Sequence, residues 1–270
     1  MFETKGKLTL YRDELLGSLE GVGHFFTTRY GGVSGLNGNL FNVSFGKEDP
    51  KNVAENIRIL AAAEGLPFER FTAVRQVHGD TVVRVTEDIA GARFGKPDLL
   101  IEADALITDI PLTPLLTTHG DCVPVFICAK NRAVAMVHSG WRGTAANISG
   151  KTVEAMDREF GVKPSELTCA IGPGICKKCF EIDGPVYEIL RDAFPEDDIF
   201  RYDPVRNKYF ADLPGAVFLS LTRAGVDPER IGRGAPCTCC RENRDVFFSY
   251  RGEKGTNEGL MGAAIWLEKA

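Results

Sequence analysis

Residues 114–139, PLLTTHGDCVPVFICAKNRAVAMVHS, contain three short apolar runs separated by turn signals. Runs of this kind, rich in β-branched residues, are typical of strands that follow one another in a sheet. The same pattern occurs upstream in TAVRQV (72–77), VVRV (82–85) and ADALIT (103–108). Because several strand pairs adjoin without a helix between them, the sequence predicts mixed sheets covered by helices. This is an α+β layered fold rather than a doubly wound parallel sheet.

Helices and further strands flank this region. Asp49 and Pro50 form a helix start and Gly65 a helix stop, since Asp caps an N-terminus, Pro suits the first turn and Gly the end. A second helix is expected to run from the SGWRG turn (139–143) to Gly161. The other predicted elements are strands at 7–12 and 24–29, a glycine-rich loop at 30–39, helices at 184–194 and 213–225, and β-rich runs at 245–250 and 260–267.

Composition excludes several classes of function. The 270 residues are 44% hydrophobic and 26% charged, which is ordinary for a soluble globular protein with a large core. The formal net charge is −5 and no Lys/Arg run is dense enough to follow a phosphate backbone, so nucleic-acid binding is not expected. No apolar stretch has the length of a signal peptide or a membrane span. We therefore expect a cytoplasmic protein whose eight cysteines are reduced.

Three residues at the edges of apolar runs form a candidate metal site: His78, Cys122 and His138. Imidazole and thiolate are ligands that zinc prefers, and each of the three lies where a strand-like run meets a glycine-containing turn. Three ligands without a fourth describe a catalytic zinc with an open position, whereas a closed structural zinc needs four. The alternative is three unrelated side chains that are merely packed in a core.

Other polar residues near these runs are candidates for chemistry. Asp121, beside the proposed thiolate ligand, is a candidate general base or orienting residue, and otherwise a solvated turn aspartate. His119 can act as a fourth ligand or a proton shuttle, but we leave it outside the ligand set. Arg29 and Arg142 lie among turn glycines, and a guanidinium suits phosphate or carboxylate; the alternative is a surface arginine.

The chain resembles the YfiH-like family, also called laccase-domain or polyphenol oxidase proteins, in blocks that follow one another along nearly the whole sequence. The QVHGD and HSGWRGT blocks are the most specific. The blocks are HFFTTRYGGVS (24–34), RQVHGDTV (75–82), ADALITD (103–109), GDCVPV (120–125), AVAMVHSGWRGTAANI (133–148), IGPGIC and CFEI (171–182), and CTCCRENRDVFFSYR (237–251).

The resemblance implies a fold, an activity and a set of site residues. The fold is a four-layer α/β/β/α arrangement with mixed β-sheets, formed by residues 1–270 as a single catalytic domain. The activity is purine nucleoside phosphorylase, with adenosine deaminase and methylthioadenosine phosphorylase activities on the same zinc site. The zinc ligands of the family fall on the three residues already named. We predict Asp121 and Arg142 as catalytic, and Arg29, Asn42 and Gln76 as substrate-binding.

The predicted partners are therefore small molecules, a purine nucleoside and phosphate, with no nucleic acid or membrane, in a monomer or homodimer. In phosphorolysis, zinc and an arginine can orient phosphate while a carboxylate or histidine handles the proton. A multicopper oxidase is excluded by counting, because four histidines (His24, His78, His119, His138) cannot supply its copper cluster. A single adventitious Cu²⁺ in the zinc site is compatible with the sequence.

Two alternative functions remain open at this point. Cys122 as nucleophile and His138 as base would give a cysteine hydrolase or deamidase. Alternatively, the CxxC of Cys176 and Cys179, together with the thiols of Cys237, Cys239 and Cys240, forms a structural-metal or redox module. The family shares the segment of the last three cysteines but not the CxxC, so the CxxC is a departure from its pattern. A second departure is His119 with Gly120 before Asp121, which adds a residue to that turn.

Overall fold

The computed structural model describes residues 1–256 and 258–269, and within these ranges it has sixteen strands and six α-helices. Among the described helices none combines the length and hydropathy needed to cross a bilayer. The helices are α1 (Glu14–Gly17), α2 (Pro50–Glu64), α3 (Trp141–Ala145), α4 (Ile148–Phe160), α5 (Gly184–Ala193) and α6 (Leu213–Arg223). The strands are β1 (Phe2–Lys5), β2 (Leu8–Tyr11), β3 (Val22–Thr27), β4 (Tyr30–Ser34), β5 (Thr72–Ala73), β6 (Val82–Arg84), β7 (Ala105–Thr108), β8 (Leu115–His119), β9 (Val123–Ala129), β10 (Ala133–Ser139), β11 (Leu167–Ile171), β12 (Glu181–Ile182), β13 (Phe200–Asp203), β14 (Lys208–Ala211), β15 (Ile231–Gly232) and β16 (Met261–Leu267).

Fifteen of these strands form three sheets. The first sheet has the order β1-β2-β3-β16-β8-β5 and the second has the order β15-β11-β9-β10-β7-β6. Both are mostly antiparallel, but β5 pairs parallel with β8, β6 with β7, and β15 with β11, so both sheets are mixed. A small antiparallel sheet, β12-β14-β13, is formed by the strands that lie in the sequence between β11 and β15.

Alternation of side chains along the strands explains how the two large sheets stack. On β9, Val125 and Ile127 pack against residues of α4 and α6, while Phe126 and Cys128 join a core shared with the first sheet. The other face of the first sheet packs against α2 through residues such as Ile57. The order of layers is therefore helix, sheet, sheet, helix, which confirms the predicted four-layer α/β/β/α fold.

Most of the predicted elements are confirmed, and three are wrong. The single helix predicted after SGWRG is two helices, because the left-handed backbone of Asn147, with φ 61°, interrupts the helical conformation between α3 and α4. The loop predicted at 30–39 contains β4, which bridges to Leu40. The run 245–250 is not a strand. Its backbone turns instead, with the amides of Val246 and Phe247 donating to the Asn243 carbonyl.

Candidate active site

The side chains of His78, Cys122 and His138 converge at one end of the second sheet. Cys122 directly precedes β9, and His138 lies near the end of β10. The antiparallel register places His138 opposite Pro124. His78 enters from the loop between β5 and β6. The ligand atoms of the three residues all lie within 4.8 Å of one another. His138 is buried, Cys122 is partly buried and His78 is exposed, so the group has one open side.

Asp104, which sequence reasoning did not select, supports both histidines. Its fully buried carboxylate is 2.8 Å from His138 Nδ1 and accepts hydrogen bonds from the backbone amides of Val77, His78 and Gly79 at 3.2, 3.0 and 2.7 Å. The loop at His78 has a left-handed φ of 59°, which these amide bonds stabilise. A carboxylate behind a histidine aims the other ring nitrogen, here Nε2, at the site.

Electrostatics favour an anionic sulfur beside a cationic ring. Burial disfavours the thiolate, but the charge of His138 and the hydrogen bonds from His138 and His78 together lower the pKa of Cys122 to about 6. Burial also disfavours the imidazolium, but the charge of Cys122 and the carboxylate of Asp104 raise the pKa of His138 to about 9. Burial raises the pKa of Asp104, yet its hydrogen bonds from His138 and Gly79 leave it lowered on balance. The same thiolate can be stabilised by a bound cation in place of the ring proton.

Glycine at position 140 keeps space beside the three donor side chains. A Cβ atom built there would lie 3.1 Å from Cys122 Sγ, 3.3 Å from His78 Cδ2 and 3.8 Å from His138 Cε1. Two imidazoles, one thiol and a gap of this kind fit a borderline-soft metal ion.

His119 lies behind this group rather than in it. Its Nδ1 is 3.0 Å from the carbonyl oxygen of Cys122 and its Nε2 is 2.8 Å from Thr117 Oγ1. Both ring nitrogens are therefore engaged, and burial lowers its pKa well below the ordinary value. His119 supports the backbone of Cys122 and packs on the ring of His138, with 5.3 Å between centroids. Its exclusion from the ligand set agrees with this placement.

The three donors lie in the wall of a cavity of about 1110 Å³. This volume is slightly above the usual range for a small-molecule pocket. Its lining includes the aromatic side chains Phe45, Trp141, Phe180 and Tyr250 and the cationic side chains Lys47, Arg75, Arg93, Arg142 and Arg251.

Besides the three donors, the predicted site residues Arg142 and Gln76 line this cavity. The guanidinium of Arg142 is exposed, lies 4.2 Å from the ring centroid of Trp141, and has no ion-pair partner among residues 1–256 and 258–269. Gln76 accepts from the amide and hydroxyl of Thr118 at 2.7 and 2.9 Å and donates to its carbonyl at 2.8 Å. Gln76 therefore ties the His78 loop to β8.

Asp121 also borders the cavity, but its carboxylate is occupied by donors from a distant segment. It accepts from the hydroxyls of Thr238 and Ser249 at 2.6 and 2.7 Å and from the amide of Arg251 at 2.7 Å. Its backbone φ is 93°, a left-handed value that is unusual for aspartate. These contacts give Asp121 a positioning role beside Cys122, and its role as a general base stays a prediction.

Arg29 and Asn42 do not line the cavity. Arg29 pairs with Glu253 and Glu258 at 3.5 and 3.1 Å. The buried amide of Asn42 accepts from the backbone of Ser44 and Leu260, each at 3.0 Å, and these two residues do line the cavity. Substrate binding by Arg29 and Asn42 stays a prediction, while their observed contacts hold the segments around the opening.

The fold and the site together define an α+β protein whose paired sheets present a His–Cys–His donor set to a large cavity. The chain belongs to the laccase-domain, or YfiH-like, family, whose sequence model, described as multi-copper polyphenol oxidoreductase laccase, matches residues 23–268. This confirms the resemblance found in the sequence.

Relatives of known name cover nearly the whole chain. The sequence is 32% identical over 267 residues to purine nucleoside phosphorylase YlmD of Geobacillus stearothermophilus, covering 96% of this chain and 94% of the relative. It is 32% identical over 256 residues to adenosine deaminase RL5 of an unknown prokaryotic organism, covering 92% and 95%. The crystal structure of YlmD from Geobacillus stearothermophilus matches with a TM-score of 0.89 at 30% identity, covering 99% of this chain and 98% of that one.

Proposed function

We propose that this protein is a zinc-dependent purine nucleoside phosphorylase, with residues 1–270 acting as a single catalytic domain. It would convert adenosine, inosine or methylthioadenosine and phosphate into the free base and a sugar 1-phosphate. The observation that carries the proposal is the convergence of His78, Cys122 and His138, within 4.8 Å, in a cavity lined by cations and aromatic rings. The names of the relatives supply the substrate class.

The proposed metal ligands are His78, Cys122 and His138, with Asp104 orienting the last of these. When bound, zinc supplies a Lewis acid that polarises an oxygen and stabilises negative charge. Two neutral imidazoles and one thiolate suit zinc, and three protein ligands leave a position open. The same donors are compatible with a single Cu²⁺ ion. Multicopper oxidation is excluded, because the chain has only four histidines.

Phosphate recognition is assigned to the cationic side of the cavity. Burial and the charge of Arg75 lower the pKa of Arg93, so positive groups are crowded there, as expected where an anion binds. Arg142 presents a guanidinium without an ion-pair partner among the described residues, and charge-assisted hydrogen bonds to phosphate suit it. The cavity carboxylates compete little, because Asp121 is tied by three donors, Asp183 caps α5 and Glu181 pairs with Arg206.

The purine is assigned to the aromatic residues of the same cavity. Flat rings such as those of Phe45, Trp141 and Tyr250 stack on a base with little loss of conformational freedom. The role of the chain's own residues is to hold the base, the ribose and phosphate together so that the reacting atoms are aligned. If the purine C6, rather than the sugar carbon C1′, faced a water nucleophile, the same cavity would support adenosine deamination with release of ammonia, the activity named for the relative RL5.

The decisive experiment follows product formation from adenosine and inosine with and without phosphate, alongside the metal content of the protein. We expect free base and ribose 1-phosphate only with phosphate, and any inosine formed from adenosine to report deamination. His78→Ala, Cys122→Ala and His138→Ala should each lose zinc and at least about 10³-fold in activity. Cys128→Ala, which removes a buried thiol from β9, is the matched control and should keep both. Full turnover by a zinc-free variant would refute the assignment.

A second candidate is favoured by one observation: Cys122, His138 and Asp104 have the order of contacts of a nucleophile–base–orienter triad, with the pKa of the thiol lowered to about 6. This arrangement would support a cysteine hydrolase or deamidase. Metal removal separates the two functions, because a thiol enzyme survives chelation and is inactivated by an alkylating agent. The metal-dependent enzyme loses activity on chelation and regains it when zinc is restored.

A further inference from the structure

Four thiols outside the proposed active site meet in one cluster: Cys176, Cys179, Cys237 and Cys240. The first two lie between β11 and β12, and the other two follow β15, so about sixty residues of sequence separate the pairs. The sulfur of Cys240 is 3.8 Å from that of Cys176 and 3.7 Å from that of Cys179. All four sulfur atoms lie within 4.8 Å of one another. None of these thiols is in a disulfide.

The spacing of the sulfur atoms matches a tetrahedral metal site. Zinc binds thiolates at about 2.3 Å, so the edges of a regular tetrahedron of sulfurs are about 3.8 Å long. The two Sγ distances of 3.8 and 3.7 Å have this length, whereas a disulfide would bring two sulfurs to about 2.05 Å. Four sulfur donors without carboxylate exclude hard cations such as Ca²⁺ and Mg²⁺.

Backbone amides are aimed at one of the sulfur atoms. The amide of Cys176 is 3.3 Å from Cys237 Sγ, and the amide of Cys239 is 3.4 Å from the same atom. Donors at this position stabilise a thiolate and orient it. In the CxxC turn, the amides of Cys179 and Phe180 both donate to the Cys176 carbonyl, at 2.9 and 3.0 Å, which places the two thiols on the same side. Lys177, Lys178 and Arg241 adjoin the ligands in sequence and offset negative charge.

We propose that Cys176, Cys179, Cys237 and Cys240 bind a second zinc ion, in a closed tetrathiolate site whose role is structural. Four ligands leave no position for substrate, in contrast to the His–Cys–His site. Cys239, the fifth thiol of this region, is buried beside the cluster and is not one of the four. The proposal is independent of the proposed function, since it concerns different residues and a different role.

The proposed zinc would join a segment that lines the cavity to a second segment that supports it. Ile175 and Phe180 line the cavity from the first segment. The second segment contacts the first through the Thr238 amide, which donates to the Gly174 carbonyl at 3.1 Å. It also contacts Asp121 through the Thr238 hydroxyl. Both segments contain little regular secondary structure. A metal cross-link would therefore hold them in place, as strand pairing does elsewhere in the fold.

Counting zinc atoms in single-site variants tests the proposal. Protein purified with a reductant should contain two zinc atoms per chain, and Cys122→Ser should keep the tetrathiolate one. Cys240→Ser should lose one zinc and unfold at a lower temperature, whereas the matched control Cys239→Ser should keep both. Cys240→His, which preserves a Cys₃His set, should restore the second zinc. Because the two sites are emptied by different variants, failure of one assignment is distinguishable from failure of the other.

A second measurement covers the case in which Cys240→Ser does not fold. Treating the folded Cys122→Ser protein with a thiol-binding mercurial should release about one equivalent of zinc. Replacing that zinc by Co²⁺ should give the visible spectrum of a tetrahedral sulfur-only site, which the His–Cys–His set would not give. Absence of zinc from Cys122→Ser, or a mass two hydrogens lower that marks a disulfide among the four thiols, would overturn the proposal.

Discussion

The two thiol-containing regions of this molecule are built in opposite ways. His78, Cys122 and His138 lie at strand ends or in a loop held by Asp104, and one side of the group faces the cavity. Cys176, Cys179, Cys237 and Cys240 lie in loops, in a group of four similar donors. A rigid sheet can hold three ligands and leave a fourth position open. Ligands in loops depend on the bound metal to order the loops. On the two proposals made above, the difference separates a site for chemistry from a site for stability.

Metal removal should have the largest effect and should distinguish the two regions. Dialysis against a chelator should first empty the His–Cys–His site, because it has one ligand fewer and His78 is exposed. We expect nucleoside cleavage to fall at least about 10³-fold while the melting temperature changes little. Activity and zinc content are measured on the same samples, and zinc is added back as a control. Loss of the four-cysteine zinc before activity declines would contradict the assignment of roles.

The three proposed metal ligands could be found in the sequence, because each stands where an apolar run meets a turn. The sequence also predicts Asp49 and Gly65 as the caps of a helix, and the structure confirms both. These signals are local. They depend on the residue type and its immediate neighbours and not on how strands are ordered in the sheet.

Asp104 was missed because its role is not local. A single aspartate before an apolar strand is typical of a turn, and only the pairing of β7 with β10 brings it beside His138. The same reason explains why sequence left five cysteines as possible ligands and why the run 245–250 was assigned to a strand. Phe247 and Phe248 of that run are buried, but the Ser249 hydroxyl within it and the Arg251 amide after it both donate to Asp121.

Asp104→Asn should weaken the proposed His–Cys–His metal site and leave the proposed four-cysteine site unchanged. The amide replaces a carboxylate that faces three backbone donors and His138, so one donor is left without an acceptor. We expect zinc affinity at the His–Cys–His site to fall about 10–100-fold, measured by competition with a chromophoric chelator. Asp109→Asn, at a surface aspartate that follows β7, is the matched control. An unchanged affinity would show that Asp104 does not position His138.

Arg142→Ala tests the anion-binding side of the open site. Loss of one charge-assisted hydrogen bond should raise the KM for phosphate about 10-fold and leave the KM for nucleoside nearly unchanged. Arg142→Lys should recover part of the effect, since the charge remains while the two-pronged geometry is lost. Arg132→Ala, at a surface arginine paired with Glu166, is the control. An equal rise in both KM values would indicate a structural role for Arg142 instead.

Asp121→Asn has the smallest expected effect and probes the link between the two regions. Asp121 adjoins Cys122 in sequence, and its three donors come from residues 238–251, next to the cysteine cluster. All of its partners donate, so an amide nitrogen placed among them should destabilise the fold by about 1–3 kcal/mol. We expect a lower melting temperature, a kcat reduced only a few-fold and an unchanged pH profile. Thr238→Ala, which removes one of the same donors, should reproduce part of the stability loss.

A general base would behave differently: kcat would fall about 10²–10⁴-fold without loss of stability, and the acidic limb of the pH profile would change. That result would move Asp121 from positioning residue to catalytic residue, and the active site would then extend beyond the three proposed metal ligands and the residues that support them.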